Sequence, residues 1–376
     1  MALPVIQRVR EELPGTQLVY TYFSPSAERF ASTVRADFSA YLPFDTARAA
    51  DRVLRALRPT ALVFSKVDVW PILAERAHRA GVKLGLISAA MPASSGRRSG
   101  TSSRFTRHAY AVLDAVGAAS PDDATRLIEA GVRPPYIRVT GDTRYDQAWA
   151  RAHVKKSHQE LVSALRDDTR PTLVAGSTWP SDEAELFPAW DRLLATIPTA
   201  RLILAPHEVH EGHLAFAEAW GKRTGRTIAR LWDRSGTVNP EAATADIVLV
   251  NGVGVLADLY ALAMVAYVGG GFHDAGLHSV VEPAVFGAPI LIGPNNVAWR
   301  DAQLMLTAGG ASQVRSADTL AAELIRLFQS PAERQAMGAA LAAVVAGELG
   351  AAERAFELVR ELLGTVQEKP LHQMHA

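Results

Sequence analysis

Two successions of short apolar runs, each alternating with segments of helical period, set what this chain can fold into. The first succession is QLVYTYF (17–23), ALVFSK (61–66), KLGLIS (83–88), AVLDAVGA (111–118) and IRVTGD (137–142). The second is TLVAGS (172–177), RLILAPH (201–207), DIVLVNG (246–252), VAYVGGG (265–271) and PILIGP (289–294). Between them lie segments such as TARAADRVLRALRP and EAELFPAWDRLLATIP, whose apolar spacing is helical. Near-continuous Val/Ile/Leu strands alternating with helices predict parallel sheets covered on both faces. A polar stretch, RAHVKKSHQE, separates the two successions. The expectation is an α/β protein of two Rossmann-like domains facing a central cleft, with ligands at the carboxyl ends of the strands. The expected boundaries are 1–155 and 165–350, then a closing helix over 351–364 and a disordered tail over 365–376.

A chain of 376 residues is too long for one core of ordinary size, which agrees with two domains. Lys+Arg and Asp+Glu both number 39, so there is no net field to attract nucleic acid. The absence of cysteine excludes disulfides and thiolate metal sites. No apolar run reaches the roughly 18 residues that span a bilayer, and MALPVIQRVREELPG lacks the apolar core of a signal peptide. MALPVIQRVREEL reads instead as an amphipathic helix, so the first domain opens without a first strand.

The stretch GGGFHDAGLHSVVEPAVFGAPILIGP (269–294) concentrates the chemistry. Its glycines permit positive φ and close approach of a ligand to the backbone. Ser279-Val280-Val281-Glu282 has the spacing of a capping box, with Ser at the N-cap and Glu at N3. A helix start there would suit an anion, and a carboxylate one turn in could accept from ribose hydroxyls. Glu282 is therefore read either as a helix cap or as a ligand to a nucleotide, and both can hold for one residue. GSTWPSDE follows a strand and opens a helix, so Thr178 or Ser181 is a candidate cap. Asp68 sits at a strand end and is a candidate N-cap before Trp70-Pro71. His207, Glu208, His210, Glu211 and His213 lack H-E-x-x-H spacing, so no metal site is read there. Arg97, Arg98, Arg104 and Arg107 lie among serines in ASSGRRSGTSSRFTRH and suit a phosphorylated ligand or form a solvated loop.

AYVGGGF followed by G-HS-VEPAVFGAPILIGP resembles the donor-site signature of GT-B glycosyltransferases. More narrowly, it resembles the 3-deoxy-D-manno-octulosonic acid (Kdo) transferases. The resemblance runs through YLPFD (41–45), DVWP (68–71), SPDDATRLIEAGV (120–132), VTGDTRYD (139–146), AGSTWPSDE (175–183), APHEV (205–209) and NGVGVLADLY (251–260), in the family's order. There are departures: His278-Ser279 stands for His-Asn, Asn251-Gly252-Val253-Gly254 for Asp-x-x-Gly, Asp68 for a glutamate, and His207 for a frequent arginine.

The resemblance implies transfer of Kdo from CMP-Kdo to a lipid A precursor, lipid IVA. It further implies inversion, no metal and no cofactor, at the cytoplasmic face of the bacterial inner membrane. It assigns the donor to Gly176, Ser177, Thr178, His207, Glu208, Gly252, Val253, Gly254, Gly270, Gly271, His278, Ser279 and Glu282. It assigns the acceptor to Lys66, Arg97, Arg98 and Arg104, with Asp68 as a catalytic candidate. The family's base is the glutamate of S-x-G-E just before the helix that here begins at Ala2. By the resemblance, that base, the first strand and the membrane anchor lie upstream of Met1, and little or no transferase activity is expected of the chain as written. A catalytically inactive module that binds a nucleotide sugar or lipid A precursor, and another GT-B enzyme using a UDP-sugar, are the alternatives.

Overall fold

The computed structural model describes residues 1–92, 101–153 and 159–367. The chain divides into two compact units. One comprises Met1–Gln147 with the chain from Glu348 onward, and the other Ala148–Gly347.

Among its described residues the first unit holds six parallel strands in two sheets. β1 (Val19–Tyr22) pairs only with β2 (Phe38–Tyr41). β3 (Ala61–Ser65), β4 (Lys83–Ala89), β5 (Ala115–Ala118) and β6 (Ile137–Val139) follow one another in a second sheet. From Leu84 onward β4 is buried throughout, as an interior strand should be, whereas β3 is an edge and only half-buried despite the sequence ALVFS. The strand expected over 111–118 is shorter. Ala111 closes the helix Thr101–Ala111, and the Asp114 carboxylate accepts from Leu84 N at 2.9 Å, which bends residues 112–114 into a turn. The helix Ala2–Glu12 and the last helix, Ala351–Gln367, cover this sheet together, Val5 and Val9 packing with Ile87, Phe356 and Val359. Asp146 fixes where the last helix starts, accepting from Gly350 N at 2.8 Å and Ala352 N at 3.0 Å.

The helical run Pro331–Gly364 contains an 18-residue stretch of mean hydropathy 1.3, long and apolar enough to cross a membrane by length and composition alone, which corrects the expectation that no apolar run reaches that length. It is broken at Gly350, where φ is +83°.

The second unit is one parallel sheet of seven strands: β7 (Thr172–Thr178), β8 (Arg201–Pro206), β9 (Ile228–Arg230), β10 (Ile247–Leu249), β11 (Val265–Val268), β12 (Ile290–Ile292) and β13 (Ala311–Gln313). Their order is β13-β12-β11-β7-β8-β10-β9. Alternate residues bury opposite faces. Leu173, Ala175, Leu202 and Leu204 join Leu186 and Trp190 in one core, while Val174, Ile203 and Ala205 join Leu259 and Tyr260 in another. Each such aliphatic side chain contributes about 1.5–3 kcal/mol by leaving water. The chain runs outward from β7 on one side, then returns to build β11, β12 and β13 on the other. The reversal between β7 and β11 opens a crevice at their carboxyl ends, the position where doubly wound sheets bind ligands.

Candidate functional site

At the switch point β7 ends in Gly176-Ser177-Thr178-Trp179 and β11 ends in Gly269-Gly270-Gly271. The glycines are required by contact. A Cβ on Gly269 would lie 2.2 Å from Ser177 O, and one on Gly271 would lie 2.5 Å from Gly293 N. Gly270 has φ +90°. Ser177 also takes a left-handed backbone, with φ +55°, which carries strain in a residue with a side chain.

One carboxylate holds this turn. Asp182 is fully buried and accepts from Trp179 N (2.9 Å), Gly270 N (2.7 Å), Phe272 N (3.2 Å) and Tyr267 Oη (2.9 Å). Next to it Glu183, also buried, accepts from Thr178 Oγ1 at 2.8 Å and faces His213 Nε2 at 2.9 Å. Burial holds the Glu183 pKa above the usual carboxylate range, with His213 opposing. Neither Thr178 nor Ser181 caps the helix Pro180–Thr196: its N-cap is Trp179, Thr178 Oγ1 donates to Glu183, and Ser181 Oγ is buried without a partner.

Trp179 is the centre of an imidazole cluster. Its ring stacks on His273 (centroids 4.0 Å apart, 8° between planes) and lies 4.5 Å from His207, which is 4.3 Å from His278. The Trp179 indole N–H donates to His278 Nε2 at 3.2 Å, which requires that nitrogen to be unprotonated. Burial, followed by His207 alongside, holds the His278 pKa below the usual histidine value. Glu208 is exposed and lies 3.9 Å from His210.

The capping-box reading of Ser279 and Glu282 does not hold. The helix is Val281–Val285, its N-cap is Val280, and no side chain caps it. With one turn of helix the axial dipole is small, so the anion argument built on it weakens too. Glu282 Oε2 is instead buried with no hydrogen-bond partner among the described residues. It lies close enough to the buried Tyr260 to help raise that phenol's pKa, after burial itself. Tyr260 reaches this position because Gly176 lacks a side chain: a Cβ there would lie 2.2 Å from Tyr260 Oη.

After β10, Asn251 is tied to Trp232, accepting from its N at 2.8 Å and donating to its O at 2.9 Å. The N–H groups of Gly252, Val253 and Gly254 meet no protein acceptor among the described residues. The Val253 side chain is 69% exposed. Gly254 O accepts from Arg151 at 2.6 Å.

In the first unit Lys66, with φ +62°, and Asp68 are exposed on the turn after β3. Asp68 is not the helix cap: the helix Pro71–Arg79 has Trp70 at its N-cap. Asp45 of YLPFD serves its first turn, accepting from Ile72 N and Leu73 N at 2.9 Å each. Asp123 of SPDDATRLIEAGV likewise accepts from Met91 N at 2.8 Å, and Asp146 of VTGDTRYD holds the last helix. Several quoted motif residues here thus act as backbone clamps. Arg97 and Arg98 lie outside the described residues, as does the Arg104 side chain. Arg107 donates to Glu129 O. Among the described residues no three His, Asp or Glu side chains are grouped to hold a metal ion.

The sequence reading missed Asp182, Glu183, His273 and Tyr260. For Asp182 the available signal was an acid three residues after Trp179, the N3 spacing of a capping box. The partners of Asp182 across the sheet carried no local signal.

A doubly wound parallel sheet with a close-packed glycine turn at its switch point, joined to a second α/β unit, defines a protein of the GT-B class. The UDP-GlcNAc 2-epimerase of Neisseria meningitidis shares this fold at TM-score 0.67 and 12% identity, over 97% of this chain and 96% of that one. Another UDP-N-acetylglucosamine 2-epimerase matches at TM-score 0.67 and 14% identity, over 98% and 93%. Residues 1–147 match the family described as 3-Deoxy-D-manno-octulosonic-acid transferase (kdotransferase). The 3-deoxy-D-manno-octulosonic acid transferase of Bordetella pertussis is 31% identical over 329 residues, 86% of this chain and 74% of the relative. That of Chlamydophila psittaci is 27% identical, over 89% and 76%. The chain belongs to the Kdo transferase family, and with it to the glycosyltransferases.

Proposed function

We propose that the chain holds the donor and the acceptor for transfer of Kdo, with inversion, from CMP-Kdo to a lipid A precursor such as lipid IVA at the cytoplasmic face of the inner membrane. The second unit holds the donor at the carboxyl ends of β7, β8, β10 and β11. The observation that carries the donor assignment is Glu282 Oε2, a buried acceptor with no protein donor among the described residues. Such an oxygen is costly unless a ligand donates to it, and ribose hydroxyls are donors of the right reach. The unengaged N–H groups of Gly252, Val253 and Gly254 suit the phosphate, whose charge grows as CMP leaves. Trp179 with its stacked imidazoles offers a flat face for the base or sugar. Lys66 and Asp68 belong to the acceptor side.

Calorimetric titration with CMP, and with UMP as control, tests this reading on wild type and Glu282→Ala. Weakening of CMP binding by about 1–3 kcal/mol is expected, the range for a lost buried polar partner. Unchanged CMP affinity with a lower melting temperature would remove Glu282 from the ribose and leave it a purely structural group.

A further inference from the structure

The amino-terminal end of the same seven-stranded sheet carries a second site. A cavity of about 370 Å³ opens there beside the first residues of β7 and β8, Thr172 and Arg201. It lies about 20 Å along the β8 direction from His207, at the rise of an extended strand. Four arginines line it, Arg166, Arg170, Arg201 and Arg334, against two acids, Asp167 and Asp168. The remaining wall is largely apolar and includes Met264 and Phe286.

Arg201 has no solvent exposure, and among the described residues its Nε, Nη1 and Nη2 have no hydrogen-bond partner. A guanidinium carries five N–H donors and stays charged in proteins. Burying one unpaired is among the costliest arrangements a core can contain. Neither neighbouring acid hydrogen-bonds to Arg201 among the described residues, although the Asp167 charge acts on it through space. Asp167 accepts from Thr169 Oγ1 at 2.6 Å and Thr169 N at 3.0 Å. Asp168 is exposed and faces Arg166 at 3.4 Å. Asp246 pairs with Arg170 at 2.7 Å. Arg170 itself spends Nε and Nη1 on the carbonyls of Thr199, Thr244 and Ala245. Arg334 uses Nη1 on the carbonyls of Leu327 and Phe328, at 2.6 and 3.0 Å. What Arg201 lacks, among the described residues, is an acceptor within hydrogen-bond reach.

We propose that this cavity binds a phosphate ester, its phosphate taken by Arg201 with help from Arg334 and its apolar portion lying against Met264 and Phe286. A phosphate presents three oxygens and can accept from two guanidinium groups at once, which a single carboxylate does less well. The same chemistry is offered by a soluble phosphate ester and by a phospholipid headgroup. The site is separate from the crevice at the other end of the strands and does not depend on the function proposed for it.

Thermal melts of the full chain in inorganic phosphate, against sodium chloride at matched ionic strength, test the proposal with Arg201→Met and Arg334→Gln. Wild type is expected to gain stability saturably with phosphate. Arg201→Met, which removes an unpaired buried charge at similar volume, is expected to melt higher than wild type without phosphate and to lose the phosphate response. Arg334→Gln is expected to need about tenfold more phosphate for half the shift, as for loss of one charged hydrogen bond. Sedimentation with phosphatidylcholine vesicles, with and without phosphatidic acid, separates the sources. Capture of wild type but not Arg201→Met by the anionic vesicles identifies a lipid headgroup. No capture, with the phosphate response intact, identifies a soluble ester. An equal phosphate response in wild type and Arg201→Met, or none in wild type, overturns the proposal. So does a lower melting temperature of Arg201→Met in phosphate-free buffer, since Arg201 would then have a protein partner.

Discussion

Replacing Asp182 by alanine should cost the second unit more than any other single polar substitution in the site. The carboxylate is fully buried and serves four donors that come from both sides of the switch point. Two of them, Gly270 N–H at 2.7 Å and Tyr267 O–H at 2.9 Å, are themselves buried, so water cannot replace the lost acceptor without opening the turn. An orphaned buried donor costs about 1–3 kcal/mol, which gives about 2–6 kcal/mol for the pair. The Trp179 and Phe272 N–H groups are only partly buried and add less. A central value of about 4 kcal/mol would lower the melting temperature by about 8–16 °C in a unit of this size. Guanidinium unfolding followed by tryptophan fluorescence reports on the right unit, because six of the seven tryptophans lie within Ala148–Gly347. Asp182→Asn keeps one acceptor oxygen and should fall between wild type and alanine. A loss below about 1 kcal/mol for Asp182→Ala would refute the claim that this carboxylate holds the glycine turn.

Three further outcomes are expected. The folded His278 pKa lies below its unfolded value, so its neutral form contributes stability that is present above about pH 6.5 and is lost as pH falls through the folded pKa. Glu183 has the opposite sign: its raised pKa gives stability present at low pH and lost as pH rises through the folded value. Urea midpoints at about pH 7.5 and 5.5 should therefore fall further for wild type than for His278→Gln, and equal slopes would contradict the assignment. Gly269→Ala places a Cβ 2.2 Å from Ser177 O, a backbone atom that cannot rotate away; about 3 kcal/mol of stability should be lost, measured by the same unfolding assay. Asp45→Ala removes the carboxylate acceptors of two backbone N–H groups at the start of Pro71–Arg79 and should cost about 1–2 kcal/mol, whereas Asp68→Ala should stay within about 0.5 kcal/mol. Chemical denaturation of the pair distinguishes the two aspartates.

The alternation of apolar runs with helical segments was enough to specify parallel, doubly covered sheets, because both periods are local. Local reading also found the glycine turn and Glu282, since three successive glycines after VAYV have few uses other than close approach. The same reading assigned Ser279 and Glu282 to a capping box, and Asp68 to a helix cap, from spacing alone. In the structure the first cap is absent because the chain enters its helix one residue later, at Val280. The second is supplied by Asp45, which lies 27 residues before Ile72 in the chain.

Short-range chemistry, then, was written in the sequence: strand and helix period, turn glycines, and family motifs in order. The position of β7 at the middle of its sheet was decided only by tertiary packing, and with it the switch point that unites Gly176, Gly269 and Glu282. Asp182 reads as an ordinary first-turn acid until Tyr267, Gly270 and Phe272, 85 to 90 residues away, fold onto it. Arg201 reads as a polar strand start until the ends of β7 and β8 close over it. A side chain's partners across a sheet depend on strand order, and strand order is a property of the whole core rather than of any stretch of chain.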